Sequence, residues 1–252
     1  PLPDRADIQR PWRENKSDFH NLEKNITVLL QQFFMDLKKN YESIKKRIVS
    51  AASASKRNPD SVKLVAVSKG KSIAEIEELV KLGQKIFGES RSDELEEKFE
   101  KVEGIEWHFV GHLQSNKARE VVERCSLIHS VDSIKLLQKI QHCARELDKK
   151  QKVLIEVNLS GEENKYGFSR EGVAVVLDRI WQLPFGNVEV LGFMGIAPNT
   201  DDKQAINSAF MELHELTEEY KFRELSIGMS NDFEIAIRNG ATLVRIGKAL
   251  FE

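Results

Sequence analysis

A lysine at the end of an apolar run is the first feature with chemical potential. In "KLVAVSKGKS", Leu64, Val65, Ala66 and Val67 read as a strand covered on both faces, and Lys69 stands at its tip with Lys71 two residues on. A buried ammonium costs desolvation energy unless something uses the amine. A strand end that reaches solvent accounts for the same residues. Other short apolar runs end in the same way, on Glu89, His112, Asp132, Asn158, Met194, Ser230, and Arg245 with Gly247. Singly, Asp132 before Ser133 reads as a helix cap, Asn158 as a cap of its own loop and His112 as a loop histidine. Converging on one rim, they would form a ligand pocket.

Two segments point to an anion. "GMSNDFEIAI" places Gly228, Met229 and Ser230 at a strand end, just before a helix that carries Asp232 and Glu234 in its first turn. "RIGKALF" repeats the device, with Gly247 letting the backbone come close to a ligand and Lys248 following it. Small residues before a helix start present free N–H groups, which suits a phosphate. Two ordinary capped helices are the alternative. Neither segment is a P-loop, so a nucleoside triphosphate is not implied.

The elements that must position these residues follow a strict rhythm. An apolar stripe of Ile26, Leu30, Phe33, Leu37, Tyr41, Ile44 and Ile48 predicts a helix from Asn21 to Ser55. Eight strands follow: "KLVAVSK", "KIFGE", "EWHFVG", "SLIHSVD", "KVLIEVN", "VEVLGFMGI", "ELSIGMS" and "TLVRIG". Helices between them are predicted near Ile73–Leu82, Asp93–Lys101, Asn116–Arg124, Ser133–Lys149, Arg170–Gln182, Lys203–Tyr220 and Asp232–Arg238. Alternating strands and crossover helices require parallel pairing. Eight such units predict a single closed (β/α)8 TIM barrel over residues 37–252, preceded by a partly helical extension over 1–36. In such a barrel the strand ends listed above share one mouth, and strands seven and eight are where a phosphate site commonly sits.

Lys69 on strand one, facing a phosphate site on strands seven and eight, could hold an aldehyde-bearing phosphate as a Schiff base. Pyridoxal 5′-phosphate (PLP) is the natural candidate. Desolvation and the charge of Arg245 would both favour the neutral, nucleophilic amine.

On these residues the chain resembles the pyridoxal phosphate homeostasis proteins, whose barrel is alanine racemase-like (PLP fold type III). The likeness runs from about Leu37 to the end. It rests on "AVSKGKS", "FGES", "WHFVGHLQSNK", "HSVD", "EVNLSGEENKYGF", "GFMGIAP" and "LSIGMSNDFEIAIRNGATLVRIGKALF". The resemblance implies that Lys69 is the cofactor lysine and that Ser230, Gly247 and Lys248 hold the phosphate. It sets Arg245 against the pyridine nitrogen, with Gly228, Met229, Glu89, His112 and Asn158 completing the expected contacts. The chain departs from the family pattern at Gly70–Lys71–Ser72 (usually Thr-Lys-Pro), at Ser90–Arg91 (usually Asn-Tyr) and at Lys248 (usually Thr).

The resemblance implies a protein that buffers or delivers PLP inside the cell, with apo PLP-dependent enzymes as recipients and no robust turnover. An amino-acid racemase of the same fold and a Schiff-base aldolase are the alternatives. A racemase needs an opposing base from a second domain, and with the chain ending at Glu252 none is expected. Composition agrees with a small-molecule role. With 38 basic and 40 acidic side chains there is no electrostatic case for nucleic acid or an anionic membrane. No apolar run reaches the roughly 18 residues of a membrane span. Two cysteines, Cys125 and Cys143, give neither a metal motif nor a disulfide framework, so a cytoplasmic monomer is expected.

Overall fold

The computed structural model describes residues 16–162, 165–182 and 186–252. Residues 1–15 of the extension, the side chains of Ile26 and Leu30, and Glu163 and Asn164 of the "GEEN" segment lie outside that set.

Helix α1 (Lys16–Ala54) leads into strand β1 (Lys63–Val67), and the chain then alternates as its apolar rhythm predicts. Helix α2 (Ile73–Lys81) connects β1 to β2 (Ile86–Glu89), and α3 (Ser92–Phe99) leads on to β3 (Glu106–Phe109). A 3-10 turn at Ser115–Lys117 runs into α4 (Ala118–Arg124), which precedes β4 (Leu127–Val131). Helices α5 (Ile134–Glu146), α6 (Arg170–Gln182) and α7 (Lys203–Glu219) then alternate with β5 (Gln151–Asn158), β6 (Val188–Ile196) and β7 (Glu224–Ser226). A short α8 (Phe233–Arg238), β8 (Leu243–Ile246) and a final α9 (Lys248–Phe251) complete the order. The strands pair in sequence order, all parallel, and β1 closes on β8 with Val65 opposite Arg245. The chain is a (β/α)8 barrel.

Local chemistry explains the helix starts. Ser72 and Glu75 form a reciprocal capping box at α2, Ser133 accepts from the Leu136 N–H at α5, and Asp202 accepts from Gln204 at α7. Ser133 is therefore the cap expected near Asp132, which leaves the aspartate for other work.

Strand parity then sorts the side chains. Leu64, Ala66, Phe87, Trp107, Phe109, Ile155 and Phe193 point outward and pack beneath the helices. Val65, Leu127, Leu154, Leu191, Met194 and Leu243 fill the barrel interior, with Ile86 and Val110 against them. By the same alternation Lys63, Glu106, Lys152 and Glu224 face the lower end of the barrel, where Lys63 Nζ lies 3.4 Å from Glu224. Near the mouth the interior turns polar.

Among the described side chains of α1, burial starts at Leu37. Tyr41, Ile44 and Ile48 continue the buried stripe, whereas Phe33 is partly exposed and Val28 and Met35 are exposed. The expected boundary at residues 36 and 37 falls inside one continuous helix, so the change there is in packing and not in backbone. Among the described residues no helix is long and apolar enough to cross a membrane.

Candidate functional site

Strand β1 stops at Val67, shorter than the sequence suggests. Ser68 is buried, but Lys69 sits in the following turn and is exposed to solvent. The desolvation expected of a strand-tip lysine is therefore absent. Among the described residues no hydrogen bond or ion pair engages its ammonium. The residue before it is fixed instead. Ser68 N donates to Gly88 O at 3.0 Å, and Ser68 Oγ donates to Glu89 Oε1 at 2.7 Å.

Glu89 belongs to that support rather than to the pocket. It lies on the outward face of β2, where Lys98 Nζ of α3 donates to Glu89 Oε1 at 2.7 Å. Burial raises the Glu89 carboxyl above its ordinary range, and the Lys98 and Ser68 hydrogen bonds oppose that rise. The expectation that Glu89 lines the mouth is corrected: its parity is that of Phe87, toward the helices.

The loops after β7 and β8 meet each other. Ser230 Oγ accepts from Ala249 N at 3.1 Å, which ties the two loops together and leaves the Ser230 hydroxyl proton able to donate. Gly228 has φ +92, and a Cβ there would lie 2.5 Å from Ala236 Cβ, so only glycine fits. A Cβ on Gly247 would come within 3.2 Å of the Val67 carbonyl, the strand that leads to Lys69. Helices α8 and α9 have only six and four residues, so close backbone approach, not a long helix dipole, is what these loops offer. Met229 is partly exposed and its N–H is already taken by Asp232 Oδ1 at 2.5 Å; Lys248 is exposed.

Arg245 is the buried cation beneath them. Its Nη1 donates to Ser226 O and to Ser226 Oγ, both at 2.7 Å, and its Nη2 donates to Gly195 O at 3.0 Å. Burial lowers its pKa to about 10, against the pull of Glu156 and Asp232, so it remains charged at neutral pH. Glu156 shares the interior. Burial and the like charge of Asp132 raise its pKa to about 7, opposed by Arg245, and its Oε2 has no hydrogen-bond partner.

The remaining expected residues form one side of the mouth. His112 Nδ1 lies 2.9 Å from Asp132 Oδ2, and the His112 ring stacks on Tyr166 with centroids 3.7 Å apart. Asn158 is spent on its own loop: its amide donates to Glu162 O at 2.8 Å and its Oδ1 accepts from Ser160 N at 3.0 Å. A cavity of about 190 Å³ opens beside it, lined by Glu156, Leu159, Tyr166, Ile196 and Asn199.

The described site thus groups Lys69, Gly228, Ser230, Arg245 and Gly247 on three neighbouring strand ends and leaves Glu89 behind the wall. Sequence reasoning missed Glu156, His129, His108 and Ser226. Each is a polar residue at an inward position of an apolar strand, and that period-two signal was available.

A family model described as the N-terminal domain of alanine racemase matches residues 36–252. The pyridoxal phosphate homeostasis protein of Aquifex aeolicus is 39% identical over 213 residues, spanning 81% of this chain and 92% of that protein. The chain belongs to the pyridoxal phosphate homeostasis protein family. The structure of family member PipY from Synechococcus elongatus PCC7942, solved with PLP bound, superposes with a TM-score of 0.70 at 34% identity, covering 83% of this chain and all of that one. An unknown protein from Bifidobacterium adolescentis superposes with a TM-score of 0.80 at 31% identity, covering 87% of this chain and 96% of that one.

Against the usual sequence of the pyridoxal phosphate homeostasis family, Ser72 stands where a proline is expected, and here it caps α2. The residues present fit a phosphorylated aldehyde. An unengaged amine, one loop that excludes a Cβ at Gly228 and another that is tight at Gly247, and a buried carboxylate oxygen without a partner lie at one end of the barrel.

Proposed function

We propose that this chain binds PLP as a Schiff base on Lys69 and acts in the cell as a PLP carrier that buffers and delivers the cofactor, without robust turnover. The observation that carries this reading is a juxtaposition. Lys69 stands in the turn just past the end of β1, Arg245 lies on the inward face of the adjacent β8, the two strands pair at Val65 and Arg245, and the Gly247 backbone packs on the same strand end.

Lys69 would hold the cofactor through its aldehyde carbon, with the amine as the nucleophile. The Ser230 hydroxyl and the backbone of the Gly228 and Gly247 loops would hold the phosphate. When bound, the cofactor supplies an electrophilic aldehyde and an electron-accepting ring. Arg245 facing the ring nitrogen, cationic and already donating to three acceptors, would leave that nitrogen unprotonated and the ring a weak electron sink. Holding is then favoured over turnover. Transimination to another amine would release the cofactor to an apo-enzyme. Glu89 would serve this role from behind, by securing the turn that presents Lys69.

The test is an absorbance spectrum with PLP, followed by borohydride reduction and peptide mapping. A visible imine band and an adduct on Lys69, both absent in Lys69→Ala, are expected; an adduct on Lys71 or Lys248 would refute the assignment. Chiral chromatography of L-amino acids with the loaded protein separates carrier from racemase. Conversion on the order of 1 s⁻¹ or faster would restore the racemase reading.

A further inference from the structure

Beneath Arg245, three buried side chains from three strands, Ser226, His129 and His108, form a line that no binding role has used. His129 Nδ1 lies 2.8 Å from Ser226 Oγ, and His129 Nε2 lies 3.0 Å from His108 Nδ1. Arg245 stands at one end of this line and Glu106 at the other, with Glu106 Oε2 3.8 Å from His108 Nε2. We propose that the barrel interior carries a one-way hydrogen-bond chain, Arg245→Ser226→His129→His108, ending on the Glu106 carboxylate, and that Ser226 and His129 act through it as positioning residues for Arg245.

The two ends fix the direction. A guanidinium can only donate, and an ionised carboxylate can only accept. Contact with His108 holds the Glu106 carboxyl below its ordinary range, which keeps it ionised. Between the ends, burial keeps both imidazoles neutral: His108 is lowered despite Glu106, and His129 is lowered further by His108 and Arg245. Each neutral ring has one donor and one acceptor nitrogen. In the proposed sense Ser226 accepts from Arg245 and donates to His129 Nδ1, His129 Nε2–H donates to His108 Nδ1, and His108 Nε2–H faces Glu106. The three inner links are hydrogen bonds, and the His108 Nε2–H end meets the Glu106 carboxylate as a charge contact at 3.8 Å. In the reverse sense the proton of Ser226 Oγ would have no acceptor, and a bare His108 Nε2 would face a carboxylate. Unpaired buried polar atoms are costly, so the reverse sense is disfavoured.

The consequence lies at Arg245. Its Nη1 donates to both oxygens of Ser226, and turning the hydroxyl proton toward His129 orients an oxygen lone pair toward the guanidinium. The chain thereby holds the guanidinium from below and links it to the partly exposed lower end of the barrel. Its use for the cofactor rests on the PLP reading above; the hydrogen-bond sense does not.

Two variants of one residue separate positioning from packing. Asparagine places its amide near the Nδ1 position of an imidazole, glutamine near the Nε2 position. H129N keeps an acceptor for Ser226, whereas H129Q keeps only the contact to His108. PLP affinity within about twofold of the unaltered protein is expected for H129N, and a loss of roughly five- to tenfold with a shifted imine band for H129Q. Thermal unfolding should fall by similar amounts in both. Equal losses of affinity in the two variants, or none in either, would overturn the positioning role. Long-range ¹⁵N–¹H correlation spectra of the PLP-free protein should show both histidines protonated on Nε2; a proton on His129 Nδ1 would overturn the chain itself. If the unaltered protein gives no imine band, the PLP reading fails, while the NMR result still decides the direction of the chain.

Discussion

Lys98 reaches in from α3 to donate a 2.7 Å hydrogen bond to the carbonyl of Ser68, the residue immediately before Lys69. The same ammonium donates to Glu89 at 2.7 Å and to Glu94 at 2.8 Å, and it is almost fully buried. Position 98 on a surface-type pattern, "DELEEKFEK", would ordinarily be a solvated lysine; here its charge is pulled beneath the strand end. The turn that carries Lys69 is therefore held from behind by a buried ion pair and from the side by Ser68 itself.

Removing one member of such a pair leaves the other charge buried and uncompensated. Lys98→Met should therefore destabilise the fold by about 3–5 kcal/mol and release the Ser68 carbonyl. Denaturant unfolding gives the first effect, and the PLP imine band gives the second, through a loosened Lys69 turn. Unchanged stability would mean that Glu89 takes up a proton or finds another donor without cost.

The barrel was legible in the sequence because its signal is redundant. Eight apolar runs of strand length, each followed by an amphipathic segment, admit few other folds. The glycine loops at Gly228 and Gly247 and the buried Arg245 were legible for a related reason, since each sits where a strand's apolar run ends. Glu89 was misplaced because a strand end alone does not say which face a residue takes; that depends on register with β3 and on Lys98 arriving from α3. Asn158 and His112 show the same limit, since their partners come from loop residues that no local pattern specifies. The interior line through His129 was missed although parity marks it, because a histidine amid apolar residues is usually read as core.

Glu156 should make stability depend on pH. Its folded pKa of about 7 lies above the ordinary value of 4.5, so between those limits the folded chain binds a proton that the unfolded chain lacks. Its contribution is then fully present below about pH 4.5 and is lost as pH rises through about 7. Glu156→Gln removes that loss. The variant should be more stable than the unaltered protein at pH 8 by on the order of 1–3 kcal/mol, with the difference vanishing near pH 4.5. Urea unfolding at the two pH values measures this, and a difference that is the same at both would exclude Glu156 as the titrating group.

The first thirty residues should be dispensable for holding PLP. The buried stripe of α1 begins at Leu37, and the side chains of residues 31–36 are exposed or only partly buried. Deleting residues 1–30 leaves the described buried stripe whole, with Phe34 still packed against it. Equal PLP occupancy and a melting temperature within a few degrees are expected, since about 1 kcal/mol corresponds to roughly 2–4 °C in a chain of this size. A truncated chain that fails to fold would place part of the barrel's stability before residue 31.

Arg245→Glu tests the centre of the site by reversing its one buried cation. Arg245 donates to Ser226 and Gly195, and its charge opposes the rise in the pKa of Glu156 and of Asp232. A carboxylate there would join Glu156, Asp132 and Asp232 and remove the Arg245 hydrogen bonds to two carbonyl oxygens. The acids should respond by taking up protons, so Glu156 should titrate above its present value of about 7. A loss of about 3–5 kcal/mol is expected from breaking the buried charge pairing. In the PLP reading, a carboxylate at the ring nitrogen favours the protonated ring, so the bound spectrum should shift to match that species. PLP affinity should fall at least about tenfold, because a protein that must rearrange its charges to bind does so less readily. Arg245→Gln controls for size: it keeps a donor, removes the charge, and should shift the spectrum less than Arg245→Glu does. A spectrum and an affinity that are identical in all three proteins would show that position 245 does not touch the ring.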